Sequence, residues 1–338
     1  MTAEAQQPNP ALIFETLTAY QRSDALRAAI ELDLFTAIGE GAHTASEIAL
    51  RCGAAERGAR ILCDYLTLIG FLTKDGNSYG LTQDSAVFLD RRSPAYMGSA
   101  AEFLVSDHIM EGFKHLTESV RKGGTATLGE GTLAPEHPVW VKFARAMAPM
   151  MRPPAAAIAQ LIDPEANRKI KVLDIAASHG EFGLAFAKRN PRAEIVGLDW
   201  ANVLELSKEN AKAAGVADRH SAIAGSAFEV DFGTGYDVVL LTNFLHHFDP
   251  PTNEKLLRKV HMALAEGGRA VTFEFVPNDD RVSPPGIAGF SLVMLAGTPS
   301  GDAYTFAEFD RMFKNAGFSK NELHALPQAI QQVIVSQK

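Results

Sequence analysis

Residues 172–183 read VLDIAASHGEFG. An apolar run ends in Asp174, passes through small residues and meets Gly180 where a helical pattern begins. That is a strand, a tight loop and a helix, an arrangement whose loop backbone and helix N-terminus commonly cradle a nucleotide. Glycines ordinarily build such a loop. Here Ala176 and Ser178 stand in their places. The dinucleotide fingerprint G-x-G-x-x-G fits in no register. The pattern that fits is acid-x-small-x-small-x-Gly: Asp174, Ala176, Ser178, Gly180. A ligand without a pyrophosphate asks only for small side chains near an adenosyl group and a carboxylate near an amino group. Alanine and serine meet that demand if neither position requires a positive φ.

Downstream, strand and helix patterns alternate. "AEIVGLD", "YDVVLLTNF" and "RAVTFEFV" read as strands. "NVLELSKENAKAAG" and "NEKLLRKVHMAL" read as helices, the second closed by Gly267-Gly268. Such alternation predicts a mostly parallel sheet covered on both faces, a Rossmann-like α/β fold. Asp199 follows Gly180 by 19 residues, close to the spacing of about 20 at which an acid meets ribose hydroxyls. "GSAFE" and "LTNFLHHFD" sit at later strand ends, where ligands of open parallel sheets bind. After the helix "TFAEFDRMFKNAGF", the strands "SKNELHAL" and "QQVIVSQK" predict a closing antiparallel hairpin, which is not the dehydrogenase arrangement.

Upstream, "LRAAIELDLFTAI" aligns Leu26, Ile30, Leu34 and Ile38 at helical spacing. "TASEIALRCG" opens with a capping signal, Thr44 with Glu47. "ERGARILCDYLTLIG" turns Ile61, Leu62, Tyr65, Leu66 and Ile69 inward. "FLTKDGNSYGLT" is a hairpin turning at Asp75-Gly76-Asn77. Together they predict an α-helical winged-helix unit. Arg57 and Arg60 are the chief cations of its third helix, too few for phosphate binding, so a protein–protein module is expected and no nucleic acid. Residues 94–159 are mainly helical, broken at Gly123-Gly124 and "APEHP". By spacing alone, Phe143, Met147 and Met151 form a core stripe.

The 338 residues carry a formal charge of -8, with 46% apolar and 21% charged residues. That balance argues against a general nucleic-acid or membrane-surface role. Two cysteines, Cys52 and Cys63, make no disulfide framework and read as reduced, hence a cytoplasmic location. The opening MTAEAQQPNP has no basic-then-apolar pattern, so no secretion signal is expected.

Across nearly its whole length the chain resembles the S-adenosylmethionine-dependent O-methyltransferases of the plant caffeate and flavonoid type and their bacterial small-molecule relatives. The carrying features are the N-terminal module, Phe143 and Met147, the Asp174 loop, Asp199, "GSAF", "LHHF", "EGG", Glu274 and "VMLAGTPSG". The resemblance implies S-adenosylmethionine as cofactor, held by Asp174, Ala176 and Gly180 at its methionine end, with Ser178 of the same loop among the cofactor-binding residues, and by Asp199 beside Trp200 at the ribose. It places Ser226, where an acid is usual, with Ala227 and Phe228 at the adenine, and Thr242 where plant members often carry a lysine. Phe143, Met147, Phe290 and Met294 would line the acceptor pocket, with His247 in place of an aspartate. A homodimer through the N-terminal domain is implied, and "PALIFETLTAYQRSDALRAAIELDLF" is apolar enough to cross to the partner's pocket.

A hydroxyl acceptor must lose a proton before attacking a sulfonium methyl, and histidine suits that task near neutral pH. His246 matches the family's base and Glu274 the carboxylate that orients it. Read as residues alone, His246 and His247 are also loop histidines capping a helix. A metal pair lacks a third ligand nearby, so no metal is expected. The family's second glutamate is Ala303 here, leaving Asp302 to substitute or His246 to work with one carboxylate. The domains expected are residues 1–95 for dimerisation, 96–160 as a helical linker contributing to the acceptor pocket, and 161–338 for catalysis. The leading reading is methyl transfer to a hydroxyl of a small aromatic metabolite. Carbon or nitrogen methylation, a non-methylating member of the fold and a winged-helix regulator are the alternatives.

Overall fold

The structure, a computed structural model, describes residues 8–127, 136, 138–327 and 329–338. The readings of residues 1–7 and of the break at Ala134, Pro135 and His137 lie outside the described residues. The chain divides into two compact units between Val105 and Ser106.

In the first unit, α1 (Ala11–Leu17), α2 (Tyr20–Glu31), α3 (Leu34–Gly39), α4 (Ala45–Cys52) and α5 (Glu56–Leu68) precede the hairpin β1 (Leu72–Asp75) and β2 (Ser78–Leu81). Then come α6 (Gln83–Phe88) and α7 (Ala101–Leu104). The single helix expected over Leu26–Ile38 is two, because Asp33 turns left-handed at φ 57°. Its carboxylate accepts from Thr36 Oγ1 at 2.8 Å and Arg91 Nε at 2.9 Å, local bonds that compete with helix continuation. The capping box of Thr44 and Glu47 forms, and Gly53 closes α4 at φ 63°. On α5 the buried face is Ala59, Cys63 and Leu66; Ile61, expected inward, is 43% exposed. Helix α1 buries none of its residues.

The second unit begins with α8 (Asp107–Lys114), α9 (Leu116–Lys122) and the long α10 (Pro138–Ile162). Its sheet holds β3 (Ile170–Ile175), β4 (Ala193–Asp199), β5 (His220–Ala224), β6 (Tyr236–Thr242), β7 (Leu264–Glu274), β8 (Lys320–Ala325) and β9 (Gln332–Gln337). Strands run in the order β5-β4-β3-β6-β7-β9-β8. The first five are parallel, and β9 lies antiparallel between β7 and β8, as the closing hairpin predicts. Helices α11 (Glu181–Arg189), α12 (Ala201–Ala213), α13 (Pro250–Ala263), α14 (Pro285–Ala288), α15 (Phe290–Gly297) and α16 (Phe306–Asn315) complete it.

Alternate strand residues feed two cores. Leu173 and Leu241 join Phe309 and Phe313 on one, while Val172 and Leu240 join Ile158 and Phe186 on the other. Strand β5 escaped the sequence reading because its edge segment HSAIA has no buried run. Helix α13 ends at Ala263, not at Gly267-Gly268. Those glycines lie inside β7, whose register with β6 shifts between Tyr236 and Val238. A Cβ on Gly268 would meet the Tyr236 carbonyl oxygen at 2.9 Å, so the close approach there requires glycine. Among the described residues no helix is long and apolar enough to cross a membrane.

Candidate cofactor and acceptor site

The strand order β4-β3-β6-β7 sets four carboxyl ends side by side. They carry Asp199, the 176–180 loop, the histidine pair and Glu274. The direction of winding reverses between β3 and β6, where ligands of such sheets bind.

The loop departs from expectation in one respect. Ala176, Ser178 and Gly180 all have positive φ, at 56°, 53° and 75°. The condition under which alanine and serine would replace glycine freely is not met. Each holds a left-handed conformation costing a non-glycine residue roughly 1–2 kcal/mol. The surroundings fix it: Ser178 N–H donates to Asp199 Oδ2 at 2.8 Å, and Asn210 Nδ2 donates to the His179 carbonyl at 2.8 Å. Gly180 cannot be larger, since a Cβ there would overlap Ser207 Oγ.

Asp174 is 1% exposed. Its Oδ2 accepts the Gly183 N–H at 2.9 Å, while Oδ1 is buried without a partner. Ser178 Oγ is also buried and unpartnered. Burial, with a smaller contribution from Asp199, pushes the Asp174 carboxyl up to about 7 against the pull of the Gly183 amide. Burial likewise lifts Asp199 to about 6, opposed by the amides of Ser178 and Trp200. Trp200 N–H reaches Asp199 Oδ1 at 2.7 Å and opens α12. Two strained acids and two orphaned polar atoms fit a cationic, donor-rich ligand such as the amino-acid and ribose parts of an adenosylated methionine.

At the next strand end, Ser226 Oγ accepts the Phe228 N–H at 3.3 Å, closing a turn that buries Ala227. Lys259 Nζ holds the Ala227 carbonyl at 3.0 Å, and Phe228 packs edge-on to Phe248 at 4.9 Å. Thr242 ends β6, 6% exposed.

Sequence reasoning missed a cluster beside the loop. His179, 2% exposed, accepts the Glu181 N–H on Nδ1 at 3.1 Å, and burial drives its pKa down to about 4. Buried Glu181 takes Arg152 Nε at 2.8 Å and Lys188 Nζ at 3.4 Å. The available signal was an acid directly after the loop glycine.

The histidines lie in a short turn, Leu245–His247. His246 Nδ1 donates to Glu274 Oε2 at 2.5 Å. Glu274 is fully buried, and its Oε1 accepts the N–H groups of Phe244 and Leu245, both at 2.8 Å. With Nδ1 as donor, His246 Nε2 keeps its lone pair, and it has no hydrogen-bond partner among the described residues. His247 Nδ1 donates to the Phe244 carbonyl at 3.1 Å. Burial, then the neighbouring His246, hold the His247 pKa well below the usual range. The two rings lie 4.2 Å apart.

Aromatic groups wall this pair. Phe290 meets His246 edge-on at 4.9 Å and stacks on Phe275 at 3.8 Å. Trp140 bridges Phe143 and His247, 5.6 Å from each. Met294, one turn after Phe290, is 6% exposed. Met147 is partly buried against the core of Met151 and Ile158. Trp140 and Phe275 were not among the sequence candidates. Ala303 is fully buried, and Asp302 turns its carboxylate to Arg281 at 3.3 Å and to the Ala303 N–H at 2.8 Å. Asp302 instead touches the dyad through its main chain, N–H to the His246 carbonyl at 2.9 Å.

The O-methyltransferase domain matches residues 113–319, and the O-methyltransferase dimerisation domain matches residues 14–91. The chain belongs to the O-methyltransferase family. A 3-hydroxy-5-methyl-1-naphthoate 3-O-methyltransferase from Streptomyces sahachiroi is 29% identical to it, over 92% of this chain and 90% of that one. A crystal structure from Nostoc punctiforme, provisionally named an O-methyltransferase, is 60% identical with TM-score 0.96, covering 98% of this chain and all of that one. Human N-acetylserotonin methyltransferase, solved with S-adenosylmethionine, shares the fold at TM-score 0.84 and 20% identity, over 99% of each chain. This O-methyltransferase depends on S-adenosylmethionine and acts on a small molecule. It carries a dimerisation domain.

Proposed function

We propose that this O-methyltransferase methylates a hydroxyl on a small aromatic metabolite, with His246 as general base and Glu274 as the group that orients it. The supporting observation is the buried pair His246 Nδ1–Glu274 Oε2 at 2.5 Å, which leaves His246 Nε2 open beside an aromatic wall. Asp174, Ala176, Ser178 and Gly180 hold the methionine end of the cofactor; Asp199 with Trp200 holds the ribose; Ser226, Ala227, Phe228 and Thr242 complete its seat. When bound, S-adenosylmethionine supplies an electrophilic methyl on a sulfonium sulfur. His246 Nε2 takes the acceptor's proton as its oxygen attacks, and the resulting imidazolium is stabilised by Glu274. The proton then leaves to solvent. Glu274 cannot turn away, because two backbone amides grip its second oxygen. Phe143, Met147, His247, Phe290 and Met294 line the flat acceptor pocket, where apolar and soft groups suit an aromatic ring.

Residues 1–95 form the dimer, residues 96–160 link to the pocket, and residues 161–338 carry catalysis. The protein works in the cytoplasm without nucleic acid. Support comes from the dimerisation match, the exposed apolar α1 and the net charge of -8. The test is S-adenosylhomocysteine release with matched panels of phenols, amines and carbon acids. Turnover confined to phenols is the expected result; turnover confined to amines or carbon acids overturns it.

A further inference from the structure

The histidine turn is held by more than its own carboxylate. Glu274 Oε1 grips the Phe244 and Leu245 amides where the turn begins. Asn253, in the first turn of α13, reaches its carbonyls. Asn253 Nδ2 donates to the Leu245 carbonyl at 2.9 Å and to the Phe248 carbonyl at 3.1 Å. Leu245 and Phe248 flank the histidine pair, so one nitrogen spans His246 and His247. Neither carbonyl needs Asn253 to be satisfied. The Phe248 N–H donates to the Leu245 carbonyl at 3.3 Å, and Tyr304 Oη donates to the Phe248 carbonyl at 2.6 Å. The amide also carries a cost. Asn253 is fully buried, and its Oδ1 has no partner among the described residues. An orphaned buried acceptor is destabilising, and leucine would fill the same volume without one. What the amide supplies is a fixed span between the two ends of the turn. Its own placement is secured by Asp249, which caps the Thr252 N–H at 2.8 Å and takes the Asn253 N–H on its carbonyl at 2.9 Å.

We propose that Asn253 is a positioning residue for the general base: its amide braces the turn so that His246 Nε2 stays aimed at the acceptor hydroxyl. Glu274 fixes the imidazole through Nδ1 and holds the start of the turn; Asn253 holds its carbonyl side. Asn253 acts through the turn and not on the acceptor. The proposal rests on His246 being the base.

The test uses the full-length protein in single-turnover methyl transfer to a phenol across pH, with cofactor affinity measured by calorimetry. Asn253→Leu keeps the volume and removes the brace. It is expected to bind S-adenosylmethionine as wild type does and to lose about 10–100-fold in rate near pH 7, the scale of a small misplacement of a reacting group. The loss narrows as pH approaches the phenol's pKa, where no base is needed. In a His246→Ala background the same substitution adds little, because the two changes remove one function. Asn253→Ser offers one hydroxyl donor, enough for one carbonyl but not both. It falls between wild type and Asn253→Leu, and it carries the test if Asn253→Leu does not fold. Tyr304→Phe removes the shorter bond to the Phe248 carbonyl but leaves the span, and loses less than either Asn253 variant. An undiminished rate in the Asn253 variants overturns the proposal. So does an equal fold-loss with and without His246, which would make Asn253 a prop of the fold alone. So does a loss in Tyr304→Phe as large as in the Asn253 variants, which would put the anchor at Phe248 and not in the span. If His246→Ala itself keeps the wild-type rate, the base reading fails. If His246→Ala is impaired and the Asn253 variants are not, only the brace falls.

Discussion

Asp174 and Asp199 give the site a pH dependence whose direction can be worked out. Burial raises both carboxyls in the folded protein, to about 7 and about 6. The unfolded chain ionises them first, near 3.9. The folded state therefore holds more protons over the interval between, and these two groups lower stability as pH rises from about 4 to about 7. A cationic ligand that pairs with the carboxylates reverses the sign for binding, because it selects the ionised form. Affinity for S-adenosylmethionine is thus expected to rise between pH 5.5 and 7.5 and then level off, with proton release on binding near pH 6.5. Calorimetry in two buffers of different ionisation enthalpy measures that release. Proton uptake, or affinity flat across the interval, contradicts the assignment. Asp174, Asp199, His246 and Glu274 could be named from the sequence because each lies at or close to the end of a strand pattern. The positive φ of Ala176 and Ser178 could not be, since side-chain identity argues against it and it goes with tertiary bonds to the loop from Asp199, Asn210 and the Leu198 carbonyl.

At the level of elements, the parallel sheet and its antiparallel close followed from alternation, while three errors share a cause. Asp33 breaks a helix through tertiary bonds to Arg91, Gly267-Gly268 sit within a strand, and β5 forms from a segment without an apolar run. In each case neighbours override the local pattern. The segment after α15 shows the same dependence in the site. Asp302, a sequence candidate for the missing carboxylate, supports His246 only through its amide. Gly301 makes that approach possible: a Cβ there would overlap the His246 carbonyl oxygen and lie 2.6 Å from Thr298 Oγ1. Gly301→Ala is expected to cost about 1–3 kcal/mol of stability, as overpacking does. It should lower kcat well beyond any change in cofactor affinity, because the displaced group is the histidine turn. Equal kcat, with cofactor binding measured in parallel, would mean that this segment does not position the dyad.

For the whole molecule, the unburied face of α1 is the feature that a single chain does not explain. Leu12, Ile13, Phe14 and Leu17 are 62–72% exposed, and Tyr20, the first residue of α2, is 60% exposed. Contiguous apolar surface of this kind marks an interface, and the dimerisation match begins inside α1, at residue 14. Wild-type protein is expected to be a dimer by light scattering at micromolar concentration. Phe14→Asp with Leu17→Asp is expected to shift it to monomer while circular dichroism stays unchanged. A dimer that survives both charges would place the interface elsewhere in the module.

The role proposed for His246 is removal of a proton from the acceptor hydroxyl. Its most direct measurement is the pH profile of single-turnover methyl transfer to a phenol, for wild type, His246→Ala, Glu274→Gln and His247→Ala, with cofactor binding checked in each. His246→Ala should bind cofactor normally and lose about 10²–10⁴-fold in rate near pH 7. That loss should shrink as pH approaches the phenol's own pKa, where the ionised acceptor needs no base. Glu274→Gln should fall between His246→Ala and the milder His247→Ala. Small, equal losses in all three variants, with no narrowing at high pH, would contradict the account.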